Sequence, residues 1–180
     1  EGYLAYNLVA QGRLDEAQQI AESALFPHLG QTIVYEIYVC QSVLADTYLE
    51  QGEFSRGQEI FEELVTIGEQ RQYLIPLAMA YFGLAYIYFQ KGSESDGLTH
   101  ARRSLELLSP TGTWELYVDQ GKRARLVGEK LNEIRPNDVF LQRVLHEIEV
   151  ADQNELEVLP TINNRIRVQT LGSFHIWRGG

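Results

Sequence analysis

The chain repeats itself at an interval of forty residues, and this periodicity narrows its fold more than any other feature. Leu4, Leu44 and Leu84 coincide, each followed by an alanine: Ala5, Ala45 and Ala85. Four positions beyond the leucine stand Leu8, Tyr48 and Tyr88, and four further on Gly12, Gly52 and Gly92. Asp15, Ser55 and Ser95 lie three past each glycine, and Ala17, Gly57 and Gly97 lie five past it. Self-similarity at such an interval marks a solenoid, whose units bury their apolar faces against one another.

Each repeated position has a physical reason. Two large groups and one small one at i, i+4 and i+1 share one helical face. The glycine ends that helix, because it adopts the left-handed conformation without steric cost. Asp15, Ser55 and Ser95 are expected to cap the next helix, and Asp15 to Gln18 and Ser55 to Gln58 have capping-box spacing. The small residue at 17, 57 and 97 admits close approach of the two helices. Ile20, Ala21, Ala24 and Leu25, then Ile60, Phe61, Leu64 and Val65, form the apolar face of the second helix. Helices are predicted over 1–11, 15–28, 33–51, 55–69, 73–91 and 95–108, in an all-α chain of helical hairpins. The first helix is expected to begin before Glu1, so the chain is expected to be a segment of a longer protein.

From Gln72 to Gln90 there is no charged side chain, in a chain of net charge -10. That run approaches the ~20 apolar residues of a bilayer span. Its aligned copy carries Glu36, Asp46 and Glu50, so the slot is that of a soluble helix and no membrane partner is expected. The acidic balance disfavours a nucleic-acid surface within these residues. Cys40 is the single cysteine and cannot form an intrachain disulfide, and the opening residues lack the basic start of a signal peptide. A cytoplasmic setting is expected.

Leu44, Ala45, Tyr48, Gly52, Gly57, Phe61 and Leu64 fill the pattern of the tetratricopeptide repeat (TPR), which the units resemble. Gly57 and Gly97 depart from it where a first second-helix alanine is usual, and Ser104 departs at the last. The interval also exceeds the usual period of about 34. The expected organisation is a TPR-like domain over 1–150, made of three repeats and a degenerate capping pair. A linker over 151–164 and a β-hairpin over 165–180 follow.

The capping pair is read from "TWELYVDQGKRARLVGEKLNEI", helical in pattern, and from "RPNDVFLQRVLHEIEVADQ", with Asn137 or Asp138 as its N-cap. "YVDQGKRARLVGEKL" and "IRPNDVFLQRVLHEI" are similar to the end of the helical-repeat domain in large ATP-dependent bacterial transcription activators related to the maltose-regulon activator. "RIRVQTLGSFHIWRGG" alternates like a strand and resembles the opening of the winged-helix domain of antibiotic-regulator-type activators. The resemblance implies a transcriptional regulator, with DNA contacted only through a domain beyond Gly180.

Chemistry-bearing patterns are lacking. His28, His100, His146 and His175 share no metal-ligand spacing with each other or with Cys40, and no glycine-rich phosphate loop follows a strand. No cofactor and no enzymatic activity are expected. TPR stacks line a groove with the first helix of each unit. By that resemblance the groove positions are Tyr6 and Val9, then Val39, Ser42, Asp46 and Leu49, then Met79, Phe82, Tyr86 and Phe89. Tyr6, Asp46 and Tyr86 stand where a chaperone-tail clamp needs asparagine, which disfavours that role. The stripe of Met79, Phe82, Tyr86 and Phe89 has three readings. It is covered by the capping helices or by tight curvature of the stack, it binds a protein, peptide or small apolar effector, or it meets a second copy of the chain. The functional expectation is a non-catalytic sensor or interaction segment of a regulator. The alternative is a TPR scaffold without a transcriptional role.

Overall fold

The computed structural model describes residues 2–25 and 34–157. The chain divides into two compact units, Glu1–Ile148 and Glu149–Gly180. The described residues are nearly all helical. Three hairpins come first: α1 (Gly2–Ala10) with α2 (Leu14–Leu25), α3 (Val34–Glu50) with α4 (Phe54–Arg71), and α5 (Leu74–Gln90) with α6 (Glu94–Leu108). A 3-10 turn at Ser109–Thr111 leads to α7 (Glu115–Val118), α8 (Lys122–Ile134) and α9 (Val139–Glu157). Among the described residues no helix is long and apolar enough to cross a membrane.

The repeat glycines close the first helices as expected. Gly12, Gly52 and Gly92 have φ of 72°, 79° and 76°. Each donates its N–H three residues back, to Val9, Leu49 and Phe89. The next residue donates five back, to Leu8, Tyr48 and Tyr88. This pair of bonds is the Schellman motif, which satisfies the last helical carbonyls.

The expected caps are corrected. The second helices start at Leu14, Phe54 and Glu94, which puts Asp15, Ser55 and Ser95 inside the first turn. Glu53 and Ser93 occupy the N-cap positions and make no side-chain cap bond. The Schellman turn allows nothing longer: the residue after the glycine closes one helix and opens the next. Asp15 still places negative charge at the positive end of α2.

The glycines of the second helices act through close contact. A Cβ on Gly57 would stand 3.0 Å from the Leu49 Cδ2, and one on Gly97 would stand 2.5 Å from the Phe89 ring. The facing residue grows from Val9 to Leu49 to Phe89, while Ala17 gives way to Gly57 and Gly97. Volume is thus conserved across the hairpin, as dense packing requires.

The apolar faces join units rather than filling each one. Ala5, Ala21, Val43 and Leu44 bury between the first two hairpins. Tyr38, Ala45, Leu49, Phe61, Leu64, Leu84 and Ile87 bury between the second and third. Phe82, Leu105 and Leu108 bury with Tyr117, Val127, Leu131, Leu141 and Val144 of the capping helices.

The helix expected across Trp114–Ile134 is broken. Gly121, with φ 55° and ψ −123°, separates α7 from α8. Asp138 is the cap of α9: its Oδ1 accepts the Leu141 N–H at 3.1 Å. α9 continues to Glu157, into the stretch expected as a linker. The β-hairpin expected over 165–180 lies outside the described residues.

Gln72 closes α4 with φ 57°, the one non-glycine positive φ among the described residues. It is exposed, and a left-handed residue with a Cβ carries about 1–2 kcal/mol of strain. Gln72→Gly is expected to stabilise the chain by about 1 kcal/mol, the relieved strain exceeding the extra entropy of an unfolded glycine. Thermal unfolding checks this as a rise of about 3 °C; an unchanged or lower midpoint contradicts it.

Candidate functional site

The first helices of the three hairpins carry the groove positions, and the structure divides these positions into four groups. Leu49 and Phe82 belong to the core, at 4% and 1% exposure. Met79, Tyr86 and Phe89 are half-buried and pack against the cluster that includes Tyr117, Ala124 and Val127. Tyr6, Val9 and Asp46 line a pocket of about 230 Å³ with Glu50, Asp119, Gln120 and Arg123. Val39 and Ser42 are half-buried outside that pocket, and the Ser42 hydroxyl donates to its own helix at the Tyr38 carbonyl.

The apolar stripe of α5 is therefore met by the chain itself. Tyr117 of α7 is fully buried, its ring edge-on to Phe82 at 4.8 Å between centroids. Its hydroxyl donates to Ser104 Oγ at 2.7 Å, and Ser104 donates to the Ala78 carbonyl at 2.6 Å. Ser104, the departure from the repeat pattern, is thus the polar seat for the capping tyrosine. Phe140 of α9 stands perpendicular to the Tyr117 ring at 6.1 Å between centroids. Buried aromatic groups in such edge contacts add to the energy of area burial.

The remaining pocket is electrostatically ordered. Arg123 Nη1 meets Asp46 Oδ1 at 2.5 Å, and its Nε lies 3.6 Å from Glu50 Oε1. The Arg123 side chain is 11% exposed, so this ion pair joins α8 to α3 in a largely dry setting. Burial opposes the arginine charge, but Asp46 and Glu50 outweigh it and hold the group protonated. Burial, then Asp119 and Asp46, push the Tyr6 phenol up to about 12. Burial and Glu115 raise the Asp119 carboxyl. Tyr6 and Asp119 are thus disfavoured in their charged forms, beside the Arg123 cation.

Glu50, Asp119, Gln120 and Arg123 escape a reading of the sequence as groove residues. Asp46 and Arg123 are 77 positions apart, and no periodicity links them. The one visible signal is an acid, Asp46, at a groove position. A larger depression of about 480 Å³ lies away from the groove, at the α4–α5 turn, with Glu69 and Arg103 among its lining residues. It holds none of the groove positions. Among the described residues no cluster of His, Cys, Asp or Glu is arranged to hold a metal ion.

A family model described as Tetratricopeptide repeat matches residues 2–23, the hairpin of α1 and α2. No curated protein matches the chain. A TPR-type repeat over residues 2–23 is consistent with the nearly all-helical repeat seen in the described residues. Such repeats generally hold proteins or peptides and are typically non-catalytic.

Proposed function

We propose that the chain is the helical-repeat interaction segment of a multidomain bacterial transcriptional regulator, and that a protein or peptide partner enters the groove at Tyr6, Val9 and Asp46. One observation supports the groove reading above others. The capping helices cover the stripe of the third hairpin but leave a pocket over the first two, walled by Asp119, Gln120 and Arg123. A partner there touches the repeats and the cap together, which gives binding a way to bias an arrangement further along the chain. The regulator context rests on the resemblance of residues 117–131, 134–148 and 165–180 to bacterial activators. Under the alternative reading the same groove serves a scaffold with no transcriptional output.

The test uses the parent protein in its own cells. Chromatin immunoprecipitation is expected to recover discrete promoter fragments, and Tyr6→Ala with Val9→Ser is expected to change transcripts downstream by severalfold. Recovery of no DNA overturns the regulator role and leaves the scaffold. DNA recovery with transcripts untouched by a folded variant overturns the groove role.

A further inference from the structure

The α7 segment is built differently from every other part of the stack. A helix of four residues cannot hold itself together, because nucleation costs more than one turn returns. Its form comes from what it docks on. Gly112 (φ 71°) and Gly121 (φ 55°) bound it on both sides, at conformations that other residues adopt only with strain. Between these joints, Tyr117 sits in a pocket of Phe82, Ser104 and Phe140, with its hydroxyl bonded. Just past the second joint, Arg123 reaches across to Asp46 and Glu50 of another repeat.

A buried aromatic anchor on a short segment, with a clamped charge next to it in the chain, is how peptides are held by helical grooves. Tyr117 docks where α5 and α6 meet, against Phe82 of one and Ser104 of the other, while α4 packs on Ala80, Leu84 and Ile87 of α5.

We propose that residues 112–121 are a strap, an internal ligand that closes the groove of the third hairpin, anchored by Tyr117 and latched by the bridge from Arg123 to Asp46 and Glu50. Breaking the latch loosens the strap about its two glycines and opens the apolar stripe of Phe82 and Tyr86. The groove reading above is needed only for the consequence, that a partner gains this surface when the strap leaves. The device itself stands on the contacts within the chain.

The test uses no partner. Hydrogen exchange is followed in the whole chain, in wild type and in Arg123→Gln. Asp46→Asn breaks the same bridge from the other side and serves if Arg123→Gln fails to fold. A labelled synthetic peptide of residues 113–123 is the binding probe. The latch variant is expected to exchange at least tenfold faster over 113–121 while α5 keeps its wild-type rates. It is also expected to bind the peptide at least tenfold more tightly than wild type does, and to ignore the same peptide carrying Tyr117→Ala. If α5 accelerates together with 113–121, the segment is one cooperative unit with the core and the proposal falls. It falls equally if neither protein binds the peptide. Neither result bears on whether the parent protein regulates transcription.

Discussion

Tyr117→Ala is expected to cost about 3 kcal/mol or more of folding stability, in the range for truncating a large buried side chain. The ring is fully buried and packs in T-shaped contact with both Phe82 and Phe140, so its loss opens a cavity between α5 and α9. Little else holds α7, which has one turn and two flanking glycines. The loss therefore takes the form of an undocked segment as much as a hole, and it levels off at the free energy of docking α7. Urea unfolding measures the cost, and near-ultraviolet circular dichroism reports the freed aromatic packing. Tyr117→Phe is the control: it keeps the ring and removes only the hydroxyl, with an expected cost of about 1 kcal/mol. A loss below 1 kcal/mol for the alanine variant contradicts the buried seat described here.

The hairpins were legible because repetition multiplies weak signals. A single glycine is ambiguous, but Gly12, Gly52 and Gly92 in register define a turn, and all three have positive φ. The same logic placed Ala17, Gly57 and Gly97 where two helices touch. The caps were misread for a reason that also lies in the turn. Ser and Asp favour N-caps in general, but the Schellman bond from the residue after glycine leaves only one position between the glycine and the next helix, and that position is Glu53 or Ser93. Beyond the third hairpin the repetition stops, and with it the legibility. Gly121 reads as one tolerated glycine in a helical pattern, and only the docking of Tyr117 on one side and Arg123 on the other makes it a break. In the groove, Tyr6, Val9 and Asp46 could be named by alignment to the repeat. Their wall of Asp119, Gln120 and Arg123 could not, because it comes from a segment with no counterpart among the repeats.

Ser104→Ala moves the chain toward the repeat pattern, and on general grounds alanine is the better helix former by about 0.5 kcal/mol. It is nonetheless expected to destabilise, by about 1–2 kcal/mol. Ser104 is fully buried and works twice, accepting from the Tyr117 hydroxyl at 2.7 Å and donating to the Ala78 carbonyl at 2.6 Å. Removing it leaves the tyrosine hydroxyl buried without an acceptor, and an orphaned donor of this kind costs about 1–3 kcal/mol. The carbonyl suffers less, because it remains within the α5 ladder. The double variant Ser104→Ala with Tyr117→Phe removes both partners and should recover most of the loss, since apolar replacement of both members of a buried pair is nearly neutral. The coupling energy from the four proteins of this cycle is therefore expected at about 1 kcal/mol or more. Additive costs would mean that Ser104 and Tyr117 act independently, and the departure from the repeat pattern would then have no connection to the cap. Coupled costs tie that departure to the capping segment, as they should if the third hairpin was shaped to receive its own chain.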